Sequence, residues 1–279
     1  MSARAAYGRT PSRVWRLNGS ARQREAGGFR NIPEEVAVAI LYEGATYAVM
    51  MATPCDLTDF AIGFSLTEGV VGDAGEIEDI EIVEHDLGMQ VRLWLTPARA
   101  EAVRGRARRL AGPVGCGLCG VESLAEATRA VPAVAAPLSL APRLLLDALA
   151  ALAPNQPMHM ATRSTHAAGF WHPQHGLVAV REDVGRHNAL DKLIGALAAD
   201  PVPKGEGAVL LTSRVSVEMV QKTAVAGIPL IVAVSAPTTL AVRIAEQAGI
   251  TLVAVARADG FEVFTHPERI AFTAHAACA

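Results

Sequence analysis

Cysteine is scarce in this chain of 279 residues, with only Cys55, Cys116, Cys119 and Cys278 present, and a disulfide scaffold is excluded on that count. Aromatic residues make up 5% of the chain and the formal net charge is only −3, so bulk nucleic-acid binding is not expected. Long apolar runs are also missing. LLLDALAALA is interrupted by Asp147 and PLIVAVSAP has the length of a buried strand, so no membrane partner is expected. The first 29 residues hold many arginines but no apolar core of the kind a secretory signal needs. They read as a basic, disordered leader, and the whole as a soluble cytoplasmic protein. What is abundant is apolar material, 51% of residues, enough for one large core or two modest ones.

The pattern divides after the leader. EVAVAILYEGATYAVMMATP predicts two strands around a Glu-Gly turn, DLTDFAIGFSLTEG a helix, EIEDIEIVEHDLGMQVRLWLT a hairpin and PARAEAVRGRARRLAGP a second helix. Residues 30–111 therefore form a small α+β domain. Residues 112–157 read as a cysteine loop, a short helix VESLAEATRAV, a Pro/Ala-rich connector and the helix RLLLDALAALAP. From 158 to 279, a hairpin over His175-Gly176 precedes the amphipathic helix RHNALDKLIGALAAD. Apolar strands AVLL, PLIVAVS and TLVAVAR then alternate with two helices before a last strand, FEVFT. Such alternation predicts an α/β domain with a parallel or mixed sheet covered on both faces. Ligands of such sheets bind beyond the carboxyl ends of the strands, where Arg181-Glu182-Asp183, Thr212-Ser213-Arg214, Ser235 to Thr238 and Arg257-Ala258-Asp259 collect.

The segment GPVGCGLCGVESL places Cys116 and Cys119 in a nest of glycines. A structural zinc site needs four ligands, yet there is no second Cys-x-x-Cys and no i, i+4 histidine pair, so no metal is expected. The zinc deaminase signature is absent as well, because no His-x-Glu precedes the pair. A thioredoxin-like motif would follow a strand, whereas this pair follows a basic helix and a Gly-Pro break. A disulfide would close only a tiny loop in a reducing compartment. A sulfur-handling thiol suits the surroundings better. Arg104, Arg106, Arg108 and Arg109 lie upstream and a helix start downstream, both of which favour a thiolate. Such a thiolate can take up sulfane sulfur as a persulfide, which the second cysteine can resolve as a disulfide. The arginines read equally well as a solvated helix face or as an anion site.

REDVGRHNALDK concentrates polar groups at a helix start. Asp183 is placed to cap it, Arg186 and His187 to meet a phosphate or pyrophosphate, and His187 and Asp191 to pair one turn apart. The competing reading is a capping network that fixes the helix on the hairpin. His166 is a candidate for the same pocket or for a structural hydrogen bond. Ser235 and Thr238 flank a strand-to-helix turn suited to phosphate, and Thr238 suits plain N-capping equally.

GCGLCG, REDVGRHNALDKLIGAL, VSVEMVQK, AGIPLIVAVSAPT and FEVFTHPERI together resemble one family, the formate dehydrogenase accessory sulfurtransferases (FdhD), over about residues 31–272. TPCDLTDFAIGFSLTEG is similar to that family's N-terminal region. The resemblance implies a sulfur carrier between a cysteine desulfurase and the molybdenum bis(molybdopterin guanine dinucleotide) cofactor of formate dehydrogenase. It implies Cys116 as the persulfide carrier with Cys119 as its partner, and cofactor contacts at Phe261, Glu262, Val263, Phe264, Thr265 and His266. It also implies a cytidine-deaminase-like C-terminal domain without zinc, and a homodimer. The alternative is a non-catalytic chaperone that binds the molybdenum cofactor; a zinc hydrolase would require bound zinc. Two departures stand out. Thr162-Arg163-Ser164 and Thr212-Ser213-Arg214 carry side chains where the family has glycine, at strand ends expected to line the pocket.

Overall fold

The computed structural model describes residues 4–18, 22–110 and 131–272, with side chains over 4–13, 27–104 and 131–272. VAVAILY alternates, so β3 (Val36–Tyr42) turns Val36, Val38 and Ile40 to one face. β4 (Ala45–Ala52) returns through Glu43 and Gly44, both at positive φ (51° and 79°), as a tight hairpin with right-handed twist requires. β5 (Ile77–His85) and β6 (Gly88–Leu95) form the second hairpin. β3 pairs in parallel with β6, giving a four-stranded sheet of order β4-β3-β6-β5. Helix α1 (Leu57–Thr67) covers its apolar face with the fully buried Phe60 and with Phe64; α2 (Pro97–Leu110) adds Ala100.

The basic leader is where sequence and structure part. Where disorder was expected over 1–29 the chain forms β1 (Tyr7–Asn18) and most of β2 (Arg22–Pro33), two twelve-residue strands paired antiparallel along their whole length. Pro11, the arginines and the lack of apolar alternation hid them, and among the described side chains of the ribbon none enters the buried core to imprint a period of two.

In the C-terminal half, α3 (Pro142–Leu152) and the short α4 (Pro157–Thr162) precede the hairpin β7 (His166–His172) and β8 (Gly176–Asp183). α5 (Arg186–Ala198), β9 (Ala208–Leu211), α6 (Val217–Val225), β10 (Leu230–Ala233), α7 (Thr239–Ala248), β11 (Thr251–Arg257) and β12 (Gly260–Val263) follow. The sheet order is β12-β11-β10-β9-β7-β8, with β9, β10 and β11 mutually parallel and the outer strands antiparallel. AVLL and LIVA are buried at every position because helices cover both faces. α5, α6 and α7 pack one side through Leu190, Leu193, Met219 and Ala245, while α3 packs the other through Leu145, Ala148 and Leu152. The mixed α/β sheet expected from the pattern is present; the six-residue α4 was too short to leave a period.

α1 lies between the two halves. On one side it covers the four-stranded sheet, and on the other it meets α5 with no side-chain layer between them. A Cβ on Gly63 would run into the Asp191 carbonyl, and one on Gly195 into the Asp59 carbonyl. Only glycine permits this backbone-on-backbone crossing.

Candidate functional site

Most polar groups of REDVGRHNALDK are consumed in joining elements. Arg181 places Nε and Nη2 2.8 and 2.7 Å from Asp59 Oδ2 on α1. Buried Glu182 accepts from the backbone N–H groups of Met158 and His159 (2.8 and 2.7 Å) and from the Thr165 hydroxyl, so it caps α4 from another strand. Asp183 is fully buried. Its Oδ2 binds Lys192 Nζ at 2.7 Å and accepts from the Thr53 amide and hydroxyl, while its Oδ1 accepts from Gly185 N–H and Asn188 Nδ2. Lys192, also fully buried, donates in addition to the Thr53 carbonyl and hydroxyl and lies 3.7 Å from Cys55 Sγ. Burial pushes the Cys55 thiol up, and the lysine opposes it only in part.

The His187–Asp191 pair expected one turn apart does not form. Asp191 instead takes Lys222 Nζ at 2.9 and 3.0 Å and the Thr67 hydroxyl at 2.8 Å. Burial works to lower the Lys222 ammonium, but Asp191 and Glu68 outweigh it and hold it above the ordinary lysine value. These buried networks tie α1, α5 and α6 together, which is the capping-network reading for Arg181, Glu182, Asp183, Asn188, Asp191 and Lys192.

Arg186 and His187 are the exceptions. They open α5, whose N-cap Gly185 supplies no side-chain cap. Beside them lie His166 at the start of β7 and Ser216 at the N-terminus of α6. His187 Nε2 is 3.4 Å from Ser216 Oγ and 3.7 Å from Glu218 Oε2. Arg186 Nε is buried without a hydrogen-bond partner among the described residues. Burial, then the Arg186 charge, pushes both His166 and His187 below the usual histidine value, against Asp183 and Glu218 respectively. Burial raises the Glu218 carboxyl, yet the Ser216 hydroxyl, its own backbone amide and the charges of His187 and Arg186 carry it below its usual range. The result is a fixed cation, two imidazoles held below the usual histidine value, a hydroxyl engaged by the Glu218 carboxylate and an uncapped helix start, all at the carboxyl end of β9. That donor set fits an anionic oxygen group.

The other predicted residues are spread across the sheet. Ser235 follows β10, half-buried, and its carbonyl accepts from Val255 N–H at 3.4 Å. Thr238 uses its hydroxyl to cap α7, accepting from Ala241 N–H at 3.2 Å. Phe261 to His266 runs back along the β11 edge. Phe261 begins at the carboxyl end near Arg257, whereas Thr265 is buried at the amino end, where its hydroxyl donates to Ile250 O and accepts from Leu252 N–H. His266 lies 3.0 Å from the Glu246 carbonyl on α7, and Glu262 and Phe264 face outward. Four strand spacings, about 19 Å, separate β12 from β7. Cys116, Cys119 and the helix expected at 121–131, apart from its last residue Val131, lie outside the described residues, as does Cys278.

Of the two glycine replacements, Arg163 does occupy a left-handed position (φ 60°, ψ 25°), as C-cap of α4. Ser213 does not; it is buried with an unstrained backbone, and its hydroxyl donates to the Arg214 carbonyl at 3.2 Å. Sequence reasoning gave too little weight to Glu218 and Ser216. The signal was present in VSVE, a serine followed by an acid at a helix start.

Fold and site together define a mixed α/β protein that joins two sheet units through buried ion pairs and leaves the polar cluster of Arg186, His187, His166, Ser216 and Glu218 at one sheet end. Residues 33–271 match the FdhD/NarQ family, and the chain belongs to that family. It is 53% identical over 246 residues to the sulfur carrier protein FdhD of Agrobacterium fabrum, covering 88% of this chain and 91% of that one. It is 44% identical over 260 residues to the protein of that name from Bordetella bronchiseptica, covering 93% and 94%. A crystal structure named for a formate dehydrogenase accessory protein from Desulfotalea psychrophila superposes with a TM-score of 0.73. It is 26% identical and covers 95% of this chain and all of its own.

Proposed function

We propose that this chain is a sulfur carrier serving formate dehydrogenase, taking sulfur from a cysteine desulfurase and delivering it to the molybdenum bis(molybdopterin guanine dinucleotide) cofactor. The observation that carries this is its family membership. Relatives that cover about nine-tenths of the chain bear the name sulfur carrier protein, and the chain has a single Cys-x-x-Cys to do that work. In the loading step the Cys116 thiolate attacks the outer sulfur of the desulfurase persulfide. A new S–S bond forms on Cys116, and the desulfurase cysteine leaves as thiolate. In the release step the Cys119 thiolate attacks Cys116 Sγ. The Cys116–Cys119 disulfide forms and the outer sulfur departs with the electron pair as sulfide, so two thiols are oxidised as one sulfane sulfur is reduced. A dithiol reductant then restores the pair.

The cofactor is the substrate of this reaction. Arg186 and His187, beside Ser216 and the open start of α5, are the groups we assign to one anionic arm. Ser235 and Thr238 at the centre of the edge and Phe261 to His266 along β12 are assigned to the rest of a long, two-armed dinucleotide ligand. A scaffold akin to the cytidine deaminases, in the cytoplasm, belongs to the same proposal.

Intact-protein mass after incubation with a cysteine desulfurase and cysteine tests the carrier step. The expected result is a reducible gain of sulfur on the parent that is lost in Cys116→Ala and reduced or lost in Cys119→Ala. No gain on the parent would leave a cofactor-binding chaperone without sulfur chemistry.

A further inference from the structure

Strand β11 does not run regularly to its end. Its register against β12 breaks between Ala254 and Arg257, where Val255 takes a left-handed backbone (φ 52°). Among the described residues this is the one β-branched side chain at positive φ, a conformation that costs about 1–3 kcal/mol. The consequence is a change of face. Leu252 and Ala254 pack against α5 to α7 and Val253 packs on the α3 side, as a period of two requires. Ala256, three residues past Val253, lies on the α3 side as well. Three residues return to one face only if one of them is extra, so the bulge shifts the phase by one. Arg257 is thereby sent to the α5–α7 face, whereas an unbroken period from Val253 would send it to α3.

There its Nη1 donates to the Val234 and Ala256 carbonyls, so the guanidinium lies across the carboxyl ends of β10 and β11. Those bonds fix its plane and leave Nε and Nη2, the side-on edge of the fork, without a partner among the described residues. Arg257 is exposed, and among the described residues no carboxylate pairs with it. Water can satisfy a carbonyl at an exposed strand end, so two such bonds do not account for the strain. Bulges of this kind persist where a side chain has to be aimed. Arg257 stands beside Ser235, which follows Val234, and beside Phe261, which follows its own pairing partner Gly260. From β9, where Arg186 gathers its neighbours, β11 is two strand spacings away, about 10 Å. A two-armed dinucleotide has a second set of phosphates to neutralise. Of the groups assigned to it beyond the Arg186 cluster, Ser235, Thr238 and Phe261 to His266, none is a fixed cation and Glu262 is an acid.

We propose that Arg257, held on the α5–α7 face by the Val255 bulge, is a further ligand contact whose side-on fork takes two oxygens of the second arm's phosphate. This rests on the dinucleotide as ligand and adds a residue outside both clusters assigned to it. It does not depend on the sulfur chemistry of Cys116.

Titration calorimetry of the full chain with guanosine diphosphate and with pyrophosphate tests it, in the parent and in an Arg186→Gln background that disables the first anion site. Arg257 is exposed, and thermal melts verify that each variant is folded. Both ligands are expected still to bind the Arg186→Gln chain, and adding Arg257→Gln to weaken both about tenfold or more. Arg257→Lys keeps the charge without the fork and is expected to remain at least about threefold weaker than arginine. No residual binding after Arg186→Gln, indifference to Arg257→Gln, full recovery with lysine, or a loss for guanosine diphosphate alone would each overturn the second phosphate contact and leave the dinucleotide reading standing. A parent that binds neither ligand would overturn that reading and this inference together.

Discussion

Arg163 occupies a backbone position that favours glycine, and the cost is measurable. In the left-handed region the Cβ crowds the following carbonyl, a strain of about 1 kcal/mol that glycine does not bear. Part of that gain is returned through the freer unfolded chain. Arg163→Gly is therefore expected to stabilise the fold by about 0.5–1 kcal/mol, raising Tm by about 1–2 °C in a thermal melt. An unchanged or lower Tm would show that the arginine side chain contributes more than the backbone costs. This strain was legible as a departure from a family glycine. The matching suspicion at Ser213 was not borne out, since φ is a property of the folded loop and Ser213 stays out of the left-handed region. Arg186 and His187 were legible as charge at a helix start. Lys222 was not, because its partners Asp191 and Thr67 come from 31 and 155 residues away in the chain.

At the scale of elements, the crossing of α1 on α5 is the contact that positions the site, since α5 begins at Arg186. Both helices are amphipathic on two sides, and their hydrophobic pattern says nothing of the glycines that let them touch. Gly195→Ala drives a methyl group into the Asp59 carbonyl, and because backbone cannot step aside as a side chain does, the loss is expected to be about 2–3 kcal/mol. Urea unfolding checks it against Gly205→Ala, where the added methyl meets open space and the change is expected within about 0.5 kcal/mol. Equal effects would refute the close crossing. The strands β9 to β11 were readable without this contact, as uninterrupted apolar runs mean burial on both faces.

The whole molecule is two sheet units that share their buried charges. Asp183 and Lys192 of the second unit are satisfied by Thr53 of the first, and Asp191 and Lys222 by Thr67. Separating the units would strand charges in an apolar setting at several kcal/mol each. A single calorimetric transition is therefore expected, with van't Hoff and calorimetric enthalpies equal. Two resolved transitions would mean that the units unfold independently and the ion pairs contribute little to their union. By itself the sequence determined the longer elements after the leader, the apolar central strands, the family and the one cysteine pair, because periodicity, composition and short motifs are local and survive without coordinates. Only the tertiary structure decided which polar residues of REDVGRHNALDK hold the fold and which face outward. It alone showed that the leader forms a ribbon and that Phe261 to His266 runs from one end of the sheet to the other. Those outcomes depend on what lies across from each residue, and a chain read in order does not contain its neighbours in space.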